Sequence, residues 1–281
     1  MRPHQWTKNV FVLAALVFDR QITVVDSLFR TLAGFLIFCL LSSAIYIFND
    51  LIDAPSDRNH PKKRNRPIAS GQLSERAAII TLLMLLAVIL PLASQLSWGF
   101  FAICVTYLLT NIAYTRWLKH IAILDVFIVA SGFVLRVVAG VSLIHVERFS
   151  PWLYVITTLL ALYIGFGKRR SELMLLAGDA NLHRRVLEGF TLPFLDQLLS
   201  ILSATTIMAY SLYTFSAPNL PENHVMMLTI PFVIYGIFRY LYMVQVKNAG
   251  GAPEELVLTD RPLQIVVVLL GISVFLIFYI F

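Results

Sequence analysis

Charge is scarce in this 281-residue chain, at 14% Asp, Glu, Lys and Arg, and cysteine is nearly absent, at two residues. Cys39 and Cys104 lie inside apolar runs with no ligand-like spacing, which excludes a disulfide framework or a thiolate metal site and makes each a small buried hydrophobe. Low-complexity tracts are missing, and no boundary sets off an extramembrane domain, so residues 1–281 are expected to form a single domain. Arg2 and Lys8 precede the apolar run Val10 to Phe18, but no small-x-small cleavage site follows, so this stretch is expected to be retained and not removed as a signal peptide. No nucleic-acid partner is expected.

What is abundant is apolar sequence: 58% of residues are hydrophobic and the mean hydropathy is +0.78, more than a soluble core of this length requires. The chain is expected to be an all-α, polytopic membrane protein. At about 20 apolar residues per span, helices fall near residues 4–18, 27–50, 73–94, 97–115, 122–144, 151–176, 191–216, 224–246 and 262–281, nine in all. The first is short, and its opening turn carries Gln5, Thr7, Lys8 and Asn9, which lipid tolerates only if that turn faces a wet cavity or the interface. Ser74 is placed to cap the third helix and Ser150-Pro151 to open the sixth. The basic clusters Arg58 to Arg66, Lys168 to Arg170 and Arg184-Arg185 share one side with the N-terminus, against Arg20, Arg30 and Arg148 on the other. The positive-inside rule makes the rich side cytoplasmic and puts Phe281 outside, in a cell membrane surrounded by its lipids. Gly132, Ala139 and Gly140 would permit close helix contacts within the chain or between chains, which leaves a homo-oligomer open.

Where the second apolar run meets its loop stand Asn49, Asp50, Asp53 and Asp57, followed by the basic stretch His60 to Arg66. A helix ending near Asp53 puts Asn49 and Asp53 one turn apart on one face. Pro55 disfavours helix at Ala54, so a turn that returns Asp57 over the same spot is expected. Hard oxygen ligands grouped this way suit Mg²⁺, which takes one or two carboxylates plus the oxygens of a substrate phosphate, and so point to a diphosphate substrate. The rival reading is a solvated helix end whose aspartates cap the next helix.

The pattern Asn49-Asp50-x-x-Asp53-x-x-x-Asp57, with Tyr114-Thr115-Arg116-Trp117-Leu118-Lys119 after the fourth helix, resembles the UbiA-type intramembrane prenyltransferase superfamily. That resemblance covers the whole chain and implies a nine-helix bundle with a cytoplasmic Mg²⁺-diphosphate site built on loops near 49–72, 114–125 and 167–190. Aromatic prenyltransferases of the superfamily carry a second aspartate-rich motif after helix six. Here the matching place reads Tyr163-Ile164-Gly165-Phe166-Gly167-Lys168-Arg169-Arg170-Ser171-Glu172, one carboxylate and three cations, which suits substrates bearing more than one phosphorylated group. The segments Arg2-Pro3-x-Gln5-Trp6-x-Lys8-Asn9, Lys119-His120 to Leu124-Asp125, and Ala130-Ser131-Gly132-Phe133-x-x-Arg136 resemble the decaprenyl-phosphate phosphoribosyltransferase branch. Transfer of 5-phosphoribose from phosphoribosyl pyrophosphate to a polyprenyl phosphate, for cell-wall arabinan precursors, is what this branch implies.

On that reading Asn49, Asp53 and Asp57 hold the metal, Asp50 supports them, and Asp125 holds a second Mg²⁺, orients ribose hydroxyls or caps helix five. Gln5, Lys8, Tyr46, Lys63, Arg66, Tyr114, Lys119, His120, Lys168 and Arg169 are the expected substrate contacts, with Glu172 the surviving acid of the second motif. Arg170 and Arg239 are expected to anchor or snorkel at headgroups. Arg136, 11 residues beyond Asp125 on a helix and therefore about 16 Å deeper, meets either a substrate phosphate or a structural partner such as a buried carboxylate or helix carbonyls. A prenyl diphosphate enzyme acting on an aromatic acceptor, and a transporter or lipid-binding protein without chemistry, are the rival functions.

Overall fold

Long apolar runs close their backbone hydrogen bonds internally when no water is available to do so, and the described residues hold helices and turns with no strand. The computed structural model describes residues 3–59, 63–146, 150–176, 185–218, 220–251 and 253–280. Its helices are α1 (Ala14–Phe18), α2 (Val25–Asp57), α3 (Glu75–Leu96), α4 (Trp98–Arg116), α5 (Leu124–Val141), α6 (Trp152–Leu176), α7 (Leu192–Ser216), α8 (Ile230–Gln245), α9 (Pro253–Thr259) and α10 (Arg261–Tyr279). Among the described residues seven helical segments are long and apolar enough to cross a membrane, against nine expected. The chain is a multi-pass, all-α membrane protein. Of the other two expected spans, Gln5–Phe18 is short, and α6, at 25 residues long enough to reach about 37 Å, ends in Lys168, Arg169, Arg170 and Glu172. Arg2, His60, Lys62, Arg148 and Arg184 lie outside the described residues.

The chain divides into two compact units. The first holds Met1–Val17, Gln21–Leu118 and Leu135–Val146. Its axis is α2, which packs against α3, α4 and the N-terminal segment and buries Phe38, Leu41, Ala44 and Ile45. Phe38 meets Phe100 edge-on at 6.3 Å and lies tilted on Tyr107 at 4.9 Å between ring centres. Both cysteines are buried and free. At the far end of α2, Arg30 donates to the carbonyls of Leu96 at 2.6 Å and Leu143 at 3.1 Å, serving acceptors that helix C-termini leave unpaired. Ser74 caps α3 as expected, accepting from the Ala77 amide at 3.2 Å.

Two expectations about this unit need correction. The first helix is a 3-10 helix over Pro3–Leu13 and becomes α-helical only at Ala14–Phe18. And α2 does not stop near Asp53; it runs through Pro55 to Asp57. Proline removes one amide donor but leaves the rest of the ladder able to close, and the Arg58 amide reaches the Ala54 carbonyl at 3.2 Å. Arg66 then holds Asp50 and Asp57, two turns apart, on either side of Pro55.

The second unit holds Phe18–Arg20, Lys119–Val134 and Glu147–Phe281. Its core includes Val126, Tyr163, Phe166, Leu195, Leu199 and Val244. The start of α5 and α6 approach closely because residue 165 has no side chain: a Cβ on Gly165 would stand 2.6 Å from Val126 Cγ1. Thr191 caps α7 through the Phe194 amide at 3.3 Å, and Asp260 caps α10 through the Leu263 amide at 2.9 Å. Asp260 also receives both prongs of Arg239, at 3.1 and 2.7 Å, so Arg239 does not snorkel to headgroups as expected but ties α8 to the start of α10.

Candidate functional site

In the first unit, the unbroken end of α2 sets Asn49, Asp53 and Asp57 at successive four-residue steps, along one side of the helix. Asn49 is held from α4: Thr115 Oγ lies 2.6 Å from Asn49 Oδ1 and 2.9 Å from the Asn111 carbonyl. Asp57 is 3% exposed, and its Oδ2 accepts from Arg66 at 2.5 Å, while Asp50 Oδ1 accepts from the same nitrogen at 3.2 Å. Arg66, expected to touch substrate, is thus committed to the acidic helix end. Asp53 is half-buried between these groups in sequence, and Lys63 is exposed on the 3-10 turn Lys63–Asn65. Tyr114 is half-buried in the last turn of α4. Tyr46, one turn before Asn49, donates to Gln5 Oε1 at 3.5 Å. Among the described residues no three His, Cys, Asp or Glu side chains are grouped closely enough to hold a metal ion by themselves. The donor set fits Mg²⁺ in its usual manner nonetheless, one or two protein oxygens with substrate phosphates completing the shell. Asn49 and Asp53, one turn apart, offer that number, and one oxygen of Asp57 is bonded to Arg66.

Deeper in this unit Arg136 is 6% exposed. Its Nε donates to Asn9 Oδ1 at 2.8 Å and a terminal nitrogen donates to Tyr107 Oη at 2.7 Å. These partners are side-chain oxygens, neither the buried carboxylate nor the helix carbonyls of the structural alternative.

In the second unit Asp125 lies inside the first turn of α5, wholly buried, and does not cap the helix: its Oδ2 accepts from Arg169 Nε at 2.7 Å, and its Oδ1 has no hydrogen-bond partner among the described residues. Arg169 also reaches Glu172 at 2.5 Å, one turn along α6. One guanidinium thus engages both carboxylates of this cluster, and Arg169, expected as a phosphate ligand, is occupied by protein. Arg170 is likewise not at headgroups. It is 7% exposed and donates to Asp196 at 2.6 Å, to the Val244 carbonyl at 2.9 Å and to Asn248 at 3.2 Å, binding α6 to α7 and to the end of α8. Lys168 and Lys119 are half-buried and His120 is exposed.

The sequence pointed to most of these positions but not to their pairings. Thr115 stood inside the quoted motif, and its spacing from Asn111 was the available signal. Asn9 was marked as polar in an apolar setting without its partner, and Asp196 and Asn248 drew no attention because single polar residues at helix ends are ordinary.

Comparison with known proteins adds the following. The UbiA prenyltransferase family profile matches residues 10–258. A decaprenyl-phosphate phosphoribosyltransferase of Corynebacterium glutamicum is 33% identical over 279 residues, covering 94% of this chain and 81% of that protein. One of the same name from Mycolicibacterium smegmatis is 33% identical over 280 residues, covering 94% and 86%. Among solved structures, a UbiA homolog from Archaeoglobus fulgidus bound to DMAPP and Mg²⁺ superposes with a TM-score of 0.75 at 21% identity, covering 100% of this chain and 98% of that one, a likeness of fold.

Proposed function

This chain belongs to the UbiA prenyltransferase family, and from that premise we propose that it transfers 5-phosphoribose from phosphoribosyl pyrophosphate to a polyprenyl phosphate. Pyrophosphate is released, and the product serves cell-wall arabinan synthesis. Support comes from the two phosphoribosyltransferase relatives, each matched across 94% of this chain. The observation that carries the choice of donor is that Arg169 engages both Asp125 and Glu172. A second acidic metal site of the aromatic prenyltransferase kind needs several carboxylates after helix six, where this chain has Glu172 alone, paired with the same guanidinium that engages Asp125.

In the proposed reaction the bond between the anomeric carbon and the pyrophosphate oxygen breaks while an oxygen of the lipid phosphate attacks from the opposite face. A phosphate anion needs no general base, so the protein's tasks are placement and charge. Mg²⁺ bound to the diphosphate would offset the charge of the leaving group. Asn49 and Asp53 are proposed to hold it, with Asp57 and Asp50 set behind them by Arg66. The single hydroxyl hydrogen of Thr115 cannot serve two acceptors at once. With it given to the Asn111 carbonyl, an Asn49 amide turned to donate its NH2 to Thr115 would leave Oδ1 available to a metal. Lys8, Gln5, Tyr46, Lys63 and Tyr114 are proposed as donor contacts in the first unit, and Lys119, His120 and Lys168 as phosphate contacts in the second. By the positive-inside rule these groups are proposed to face the cytoplasm at a cell membrane, a reading the basic loops support.

Incubating the purified protein with Mg²⁺ and labelled phosphoribosyl pyrophosphate plus polyprenyl phosphate, beside labelled prenyl diphosphate plus an aromatic acceptor, tests the reading. Label in a lipid-linked phosphoribose supports it. Prenylation of the aromatic acceptor with no phosphoribosyl transfer overturns it.

A further inference from the structure

Eleven residues make a long 3-10 helix. Its hydrogen-bond geometry is poor and runs beyond about four residues are uncommon, so contacts outside the helix must hold Pro3–Leu13 in this form. Several of them line one edge. At three residues per turn, Trp6, Asn9 and Val12 stack above one another. Trp6 Nε1 donates to Ser43 Oγ at 3.0 Å, and Asn9 Nδ2 donates to Ser42 Oγ at 3.1 Å and to Cys39 Sγ at 3.3 Å. At Val12 the backbone itself is the contact: a Cβ on Gly140 would come within 2.0 Å of the Val12 carbonyl oxygen. Thr7 and Val10 form an exposed edge. Gln5 and Lys8 share the third, half-buried edge, where Gln5 meets Tyr46 one turn before Asn49.

Arg136 closes this arrangement. Asn9 is fully buried, and its Oδ1 accepts from Arg136 Nε at 2.8 Å. The guanidinium is in turn fixed by Tyr107 Oη at 2.7 Å and stands 4.9 Å from the Tyr107 ring centre and 5.8 Å from that of Phe38. A cation seated over two rings with its donors directed has little rotational freedom, and it passes that order to the N-terminal segment through the Asn9 amide oxygen.

We propose that Arg136 and Asn9 are positioning residues: they key the N-terminal 3-10 segment onto α2 and so hold Gln5 and Lys8 at the edge nearest the Asn49–Asp53 turn, where they contact the diphosphate of the donor. This rests on the proposed donor site. Arg136 acts on the substrate through the segment and not by touching it.

The test uses the full chain in detergent. In hydrogen exchange without substrate, amides of residues 4–13 should exchange about tenfold faster in Asn9→Leu and in Arg136→Met, with α7 unchanged, since each loses a buried bond to a charged group. Asn9→Asp, which keeps the acceptor, should restore protection. Unchanged protection in Asn9→Leu overturns the keying, and this pair of Asn9 variants decides the matter even if Arg136→Met fails to fold.

Kinetics then tests positioning. Lys8→Ala should raise the KM for phosphoribosyl pyrophosphate by about tenfold in the wild-type background and by less than about twofold in the Asn9→Leu or Arg136→Met background, because a released segment no longer presents the lysine. An equal tenfold rise in all backgrounds overturns the proposal. Should the wild type turn over a prenyl diphosphate instead, the functional reading fails, and the same cycle run with that donor still decides the positioning role.

Discussion

Removing the Arg66 guanidinium would leave Asp57, 3% exposed, as a buried carboxylate with its counter-charge gone. Breaking such a pair from one side costs on the order of 3 kcal/mol, so Arg66→Met should lower the melting temperature of the detergent-purified protein by several degrees. An unchanged melting curve would show that Arg66 is not the clamp its geometry describes. Asp53 and Asn49 stand in the opposite case, since they lie at a helix end and not in packed core. Asp53→Ala and Asn49→Ala should lose about a hundredfold or more in kcat/KM while remaining monodisperse, and normal turnover at saturating Mg²⁺ would sink the metal assignment. The acidic run was legible because carboxylates are expensive beside an apolar span and have few uses there. What sequence could not convey is that Arg66, Arg169 and Arg170 are engaged by Asp57, Asp125 and Asp196, because a pairing of residues 9, 44 or 26 positions apart depends on how the helices pack.

Helices were the most legible feature, since apolar runs of fixed length leave the backbone no alternative. Their ends were less so. Pro55 signalled a stop that Arg66 overrides, and the three-residue stacking of the N-terminal segment is imposed by Ser42, Ser43 and Gly140 and not by local preference. The junction of α8 with α10 shows the same dependence on partners. The Arg239 guanidinium beside Asp260 holds its carboxyl below the usual aspartate range, and the Leu263 amide adds to the effect. A depressed folded-state value stabilises the fold above the unfolded-state value and loses that contribution as pH falls through the folded one. The acid limb of a melting-temperature profile below about pH 4 should therefore be less steep in Asp260→Asn than in the wild type, and the two should differ above it. Parallel limbs would remove the Arg239–Asp260 pair as a source of acid sensitivity.

At the scale of the whole molecule, scarcity of charge and abundance of apolar sequence dictated a polytopic helical membrane protein, and the chain's family is the one its acidic motif at Asn49 to Asp57 resembled. The division into two compact units was not legible, because no composition shift accompanies it. The central claim is a dependence on three components at once, and the most direct measurement is pyrophosphate release by the purified protein from phosphoribosyl pyrophosphate, with polyprenyl phosphate and Mg²⁺ each omitted in turn. The account predicts release only when all three are present, with phosphoribose recovered on the lipid. Release that ignores the lipid, or no release with all three present, would contradict it.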